Sequence, residues 1–247
     1  MSGADDLSGL RLDPGDALFL DFDGTLAELG PDPDAIALPP GTAEALKALA
    51  ARLGGALALL SGRDIRDLAS RTPDGLWRLG GHGLERMAPG TPPPRMPAPP
   101  AETVLAPLRA ATAIPGVRLE LKGPVAALHF RAAPGAEEAC LAAARAAAGR
   151  APDLVSQAGK MVVEVKPAAA HKGTALRGLM QAPPFAGRRP VMLGDDTTDE
   201  DAIAAAQDLG GIGVKVGTGE SVARLRTPSP ATVRDWLRRE ASGITGS

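Results

Sequence analysis

The sequence predicts an α/β protein, a parallel-sheet core interrupted by a smaller inserted α+β domain. Three observations predict it. Short apolar runs alternate with helically spaced segments near the N-terminus. A proline-rich stretch then breaks that alternation and a different order of elements follows. From His171 the first pattern returns. Strand-helix alternation points to parallel strands joined by crossover helices.

In order, ALFLDF (17–22) is an apolar run of the kind a buried parallel strand shows. AEALKALAARL has helical spacing, with Thr42 expected as its N-cap. GALALL (55–60) reads as a second buried strand, and a helix begins at Asp64. PGTPPPRMPAPP (89–100) holds seven prolines in twelve residues. Proline neither donates to a ladder nor continues a helix, so this segment is an extended linker.

Beyond it, residues 101–113 are helical. VRLELK and VAALHF alternate as half-buried strands about a Gly123-Pro124 turn. Residues 135–149 are helical, and LVSQ and MVVEVK form a hairpin turning near Gly159-Lys160. The expected limits are 1–100 for the first part of the core, 101–167 for the insertion and 168–247 for the rest. In that last part KGTALRGLMQ is a helix, PVMLG a strand, DEDAIAAAQ a helix and GIGVKVG a strand. Ser229 caps the final helix, with Pro230 in its first turn.

Composition narrows the function classes. The chain has 247 residues, enough for a core plus an insertion. Aromatics are 2% and Tyr is absent, so Ala, Leu and Val must do most of the packing. A net charge of −2 gives no reason to expect nucleic acid or an anionic membrane as partner. The single Cys140 excludes an internal disulfide framework and is expected as a buried filler. Three histidines leave little for a Cys/His zinc site. The acidic start MSGADDLSGLRLDPGD lacks a signal-peptide pattern, and no apolar run approaches a membrane span. A cytoplasmic monomer is the expectation.

VMLGDDTTDED (191–201) raises the chemical question, because five of the seven residues after Gly194 are acids. Two carboxylates about 4 Å apart repel by roughly 4 kcal/mol at a surface-like dielectric. A helix start favours such residues, and Thr198 would serve as cap. LDFDGT adds Asp21 and Asp23 at the end of the first strand. Ser61 follows the second strand, and Lys172 enters at a helix start. The carboxyl ends of parallel strands line the ligand crevice, so one rim could collect Asp21, Asp23, Ser61, Asp195 and Asp199. Converging carboxylates suit Mg²⁺, which takes oxygen ligands and is bound by few carboxylates plus a substrate phosphate. Asp195 is the expected direct ligand and Asp199 a supporting residue. Asp196, Glu200 and Asp201 would serve the turn and the helix start.

These stretches, in this order, resemble the haloacid dehalogenase-like phosphatase superfamily. More narrowly, the chain resembles the trehalose-6-phosphate phosphatase family over essentially its whole length. GDDTTDED, GGHGLERM, LELKGPVAALHFR, VVEVKP and ATVRDWL carry the likeness. The resemblance implies a Rossmann-like, haloacid dehalogenase-type core with an inserted cap. It implies that Asp21 attacks phosphorus and that Asp23 protonates the leaving oxygen and later activates water. Asp21, Asp195 and the backbone carbonyl of Asp23 would hold Mg²⁺. Ser61, beside Gly62, and Lys172 would bind phosphate oxygens, and Thr25 would assist orientation.

For the sugar the resemblance points to Glu120, Lys122 and Glu164 in the insertion, with His129 and Arg131 expected on one strand face. Arg63, His82 and Glu85 would join from core loops. Alternating charges also mark the wet face of any sheet, so these assignments rest on the family likeness. His171 stands where many relatives would carry Asn or another small polar residue. GIGVKVG lacks dinucleotide-loop spacing and reads as turn and strand. The implied activity is Mg²⁺-dependent release of phosphate from trehalose 6-phosphate, a small-molecule sugar phosphate, with the site between core and cap. The rivals are the same chemistry on a sucrose or glucosylglycerate phosphate, and a non-catalytic phosphosugar-binding module.

Overall fold

A computed structural model describes residues 7–30, 32–159 and 161–243. Among them β1 (Asp16–Leu20), α1 (Thr42–Arg52), β2 (Leu57–Leu60), α2 (Ile65–Arg71), β3 (Trp77–Gly80) and β4 (Glu85–Met87) come first. Next are α3 (Glu102–Ala111), β5 (Arg118–Lys122), β6 (Val125–His129), α4 (Glu137–Ala148), β7 (Leu154–Gly159) and β8 (Val162–Pro167). The last group is α5 (Lys172–Leu179), β9 (Arg189–Gly194), α6 (Thr197–Asp208), β10 (Ile212–Val216), β11 (Leu225–Thr227) and α7 (Pro230–Ser242).

The chain divides into two compact units, Met1–Pro94 with His171–Ser247, and Arg95–Ala170. In the first, the described strands form one sheet in the order β11-β10-β9-β1-β2-β3-β4. All neighbours are parallel except β3 and β4. β1 is central and every one of its side chains is buried: Ala17–Leu20 form the apolar run that this requires, and the leading Asp16 accepts from Arg189. The strand order reverses at β1, with β2 to one side and β9 to the other. Such a reversal opens a crevice at the strand carboxyl ends. Leucine and alanine dominate the core, as the scarcity of aromatics predicts. The exception is a cluster in which Phe185 stacks against Phe19 at 5.4 Å and meets Trp77 edge-on at 5.8 Å.

In the second unit β5, β6, β8 and β7 pair antiparallel in that order. One face packs on α3 and α4 through Leu105, Leu108, Ala126, Leu128, Cys140 and Val165. Cys140 is a buried free thiol, in keeping with the filler role. The parallel core and the separate α+β sheet are the architecture the sequence predicts.

The differences are local. Gly41, in the left-handed conformation, precedes α1, and Thr42 is its first helical residue with no capping bond. β3, β4 and β11 were not expected; each is only three or four residues long. Asp64 and Ser229 do cap α2 and α7, accepting from the backbone N–H groups of Arg66 and Thr232. Arg131 lies past the end of β6, exposed in a turn, so it shares no strand face with His129. Lys160, expected at the β7–β8 turn, and the first six residues of the acidic start lie outside the described residues.

Phe185 bridges β1 and β3 from the segment before β9. Phe185→Ala should cost about 3–5 kcal/mol of stability, the range for emptying a buried aromatic site, measured by urea unfolding.

Candidate active site

β1 delivers Asp21 to the crevice. Its backbone N–H donates to Leu193 O at 3.0 Å, which extends the β1–β9 ladder by one step. The turn that follows requires Gly24, at φ +76°, because a Cβ there would lie 2.1 Å from Asp195 Oδ2. Glycine therefore lets the ends of β1 and β9 bring Asp21 and Asp195 to one point. Thr25, fully buried in the same turn, has an Oγ1 without a hydrogen-bond partner among the described residues.

Lys172 is the first residue of α5, and His171 caps that helix by accepting from the Thr174 N–H at 3.3 Å. The Lys172 ammonium donates to Asp21 Oδ1 at 2.8 Å and to Asp199 Oδ1 at 2.6 Å. Asp199 uses its other oxygen to accept from the backbone N–H groups of Asp195 and Asp196, at 3.1 and 3.0 Å. It thus braces both the lysine and the turn leaving β9. Asp196, not Thr198, caps α6 in a reciprocal capping box with Asp199. The helix starts at Thr197, which puts an extended aspartate immediately ahead of it.

Carboxylate oxygens of Asp21, Asp195 and Asp199 lie within 4.8 Å of one another. One ammonium does not balance three acids. Burial, followed by the Asp199 charge, drives the Asp21 carboxyl well above its ordinary range against the pull of Lys172. Burial, with Asp199 and Asp196 adding, pushes Asp195 up to about 7. Asp195 Oδ1 is buried with no hydrogen-bond partner among the described residues. An orphaned oxygen in an over-acidic, all-oxygen cluster fits a hard divalent cation. Asp199 is near enough to count as a ligand, but both its oxygens already accept hydrogen bonds, so Asp21 and Asp195 are the better donors.

Ser61 follows β2 directly, is 1% exposed, and its Oγ accepts from the Arg63 N–H at 3.1 Å. Gly62 lies against the His82 ring, where a Cβ would sit 2.6 Å from Cε1. His82 itself has φ 59°, and its N–H donates to Ser61 O at 2.9 Å. Arg63 forms a two-point pair with Asp23. Both Glu85 oxygens accept from Arg66, at 2.8 and 2.6 Å.

In the smaller unit the register puts Glu120, Ala127 and Glu164 side by side on one sheet face, with Lys122 and His129 on the same face. Glu120 Oε2 lies 2.7 Å from His129 Nε2 and 3.4 Å from Lys122 Nζ. Burial raises the Glu120 carboxyl, but Lys122 and His129 outweigh it and hold it below its usual range.

Sequence reasoning missed Lys215, which it left inside an ordinary strand. Only 4% exposed, its ammonium donates to the Asp195 carbonyl and lies 3.7 Å from Glu200 Oε1. A lysine in the middle of an otherwise apolar buried strand was the available signal.

Comparison with known proteins shows the family of the chain. The family model described as trehalose-phosphatase matches residues 19–233. The trehalose-6-phosphate phosphatase of Escherichia coli K12 is 41% identical over 90% of this chain and 85% of its own. A probable trehalose-phosphate phosphatase of Sinorhizobium fredii is 43% identical over 87% of this chain and 83% of its own. The C-terminal domain of the trehalose-6-phosphate phosphatase of Candida albicans superposes with a TM-score of 0.79 at 22% identity, over 93% of this chain and 92% of that one; at that identity it speaks for the fold alone. The family match and the two relatives, spanning nearly the whole chain, show that this protein belongs to the trehalose-phosphatase family of phosphomonoester hydrolases.

Proposed function

We propose that this protein hydrolyses trehalose 6-phosphate to trehalose and inorganic phosphate, with Asp21 as nucleophile and Mg²⁺ as the divalent ion. The observation that carries this reading is the Asp21–Lys172–Asp199 triad beside the orphaned Asp195 oxygen. Family membership supplies the substrate class.

An Asp21 oxygen bonds to phosphorus as the bridging bond to the sugar oxygen breaks. The electron pair stays on that oxygen, which takes a proton from Asp23. In the second step water gives its proton to Asp23 and bonds to phosphorus. The Asp21–phosphorus bond breaks, and the carboxylate returns as phosphate leaves. Lys172 and Ser61 hold the phosphoryl oxygens while charge spreads over them. Lys172 also orients the Asp21 carboxylate through the bond it already makes. Asp21, Asp195 and the Asp23 carbonyl would hold Mg²⁺, whose charge would offset that of the acids and of an incoming phosphate. On the smaller unit, Glu120, Lys122, His129 and Glu164 offer the mixture of donors and acceptors that sugar hydroxyls require.

Asp21→Asn should abolish phosphate release while the variant unfolds cooperatively like the parent; turnover that survives would refute the nucleophile assignment. In a panel of phosphorylated sugars, trehalose 6-phosphate should lead in kcat/KM by more than about tenfold, equivalent to roughly 1.4 kcal/mol of transition-state binding. A sucrose or glucosylglycerate phosphate turning over faster would reassign the substrate.

The raised Asp195 carboxyl gives a pH signature in chelator. Unfolded chain ionises this group near its ordinary 3.8, whereas the folded, metal-free protein retains the proton up to about 7. The stability it contributes is present at lower pH, is lost as pH rises across that window, and changes no further above it. Asp195→Asn should flatten this slope in thermal melts. Excess Mg²⁺ should raise the melting temperature of the parent near neutral pH by mass action, and do so much less for Asp195→Asn.

A further inference from the structure

Arg63 follows the Ser61–Gly62 turn, and its guanidinium faces Asp23. Nε donates to Asp23 Oδ2 and Nη2 to Oδ1, each at 2.7 Å. Two parallel bonds of this kind fix a carboxyl group's plane as well as its place. The guanidinium is gripped from its other side too. Nη1 donates to Asp67 Oδ2 at 2.8 Å, and Asp67 in turn accepts from Arg71 Nε at 2.7 Å. The guanidinium carbon lies 5.3 Å from the ring centroid of Phe22, the residue between the two aspartates, within cation–π range. The Asp23 side chain is 26% exposed and that of Arg63 only 11%, so the carboxyl is the more accessible member of the pair.

We infer that Arg63 is a positioning residue that holds the Asp23 carboxyl for proton exchange with the sugar oxygen and the attacking water, and is not a sugar contact. This rests on the reading of Asp23 as proton donor. A proton donor must lie within hydrogen-bond reach of the reacting oxygen. A carboxyl on a turn after a strand would otherwise rotate, and a displacement of about 1 Å can cost on the order of a hundredfold in rate. The fork comes from α2 and its leading turn, so the nucleophile and the proton donor are oriented by different cations, Lys172 and Arg63.

The test compares trehalose 6-phosphate with p-nitrophenyl phosphate, whose leaving group departs without a proton. Arg63→Ala should lower kcat/KM, which reports the step in which the leaving group departs, by roughly a hundredfold on the sugar phosphate, and at least about tenfold more than on the aryl ester. In an Asp21→Asn background, where turnover is blocked, Arg63→Ala should change trehalose 6-phosphate binding by less than about threefold. Arg63→Lys should fail like Arg63→Ala, because an ammonium keeps the charge but lacks the fork. Asp67→Asn leaves the fork in place and loosens its brace, so it should show a smaller loss with the same ester selectivity, and it carries the test if the Arg63 variants unfold. Equal losses in kcat/KM on both esters, an effect expressed in binding, or full rescue by lysine would overturn the inference. Asp23→Asn separates the two readings. If it lowers kcat/KM equally on both esters, the role of Asp23 fails; if it is selective in kcat/KM and Arg63→Ala is not, only the positioning role fails.

Discussion

The site depends on one buried ammonium. Lys172 is 3% exposed, and burial alone would drive it toward its neutral form. The Asp199 and Asp21 carboxylates outweigh that and hold it charged, well above its ordinary range. Removing one partner from such a group typically costs about 3–5 kcal/mol, because a charge is left buried and uncompensated. The three residues come from the end of β1, the start of α5 and the first turn of α6. Their mutual attraction therefore aligns three segments that hydrophobic packing alone would bring together less sharply. The same contact points the Asp21 carboxylate, so the bond that holds the core's segments in place also orients this side chain at the crevice.

The sheet makes this convergence possible. β9 and β2 flank β1 at the reversal of strand order, and the carboxyl ends of all three carry polar residues within a few positions: Asp21, Ser61 and Asp195. Backbone geometry does the fine adjustment. Gly24 admits the Asp195 carboxylate, and Gly62 admits the His82 ring. A side chain at either would occupy space the site uses. Beneath the rim the core is leucine and alanine, which pack without directional polar demands and leave the polar groups at one end.

Signals that act locally were legible in the sequence. The apolar runs of β1, β2 and β9 announced buried parallel strands, and Ser229-Pro230 announced the start of α7, because a cap needs only its own neighbours. Thr42 failed as a cap because left-handed Gly41 had already taken that position. Thr198 failed because Asp196, two residues earlier, had an extended backbone and a reciprocal partner in Asp199. β4 and β11, at three residues each, are too short to show periodicity, and β3 breaks its apolar run with Arg78; β4 pairs with β3 across a turn containing left-handed His82. Lys215 was hidden for a different reason. Its value lies in reaching a carbonyl 20 residues upstream, a relation that no window of sequence contains.

The crowded acids after Gly194 are best understood by what each accepts. Asp196 caps α6. Asp199 is saturated by Lys172 and two backbone N–H groups. Glu200 accepts from Ser221 Oγ and the Val222 N–H at 3.0 and 2.9 Å, pinning the segment between β10 and β11. Asp201 lies 3.0 Å from His171 Nε2, so the residue that caps α5 has a partner on α6. Asp195 and Glu200 each keep a buried carboxylate oxygen without a hydrogen-bond partner among the described residues, but the Lys215 ammonium stands 3.7 Å from Glu200 Oε1, whereas at Asp195 it donates to the carbonyl. Repulsion within the run is therefore relieved acid by acid, by donors drawn from four separate elements and turns. The oxygen that no cation or donor among the described residues meets falls at the end of β9, in the cluster with Asp21 and Asp199.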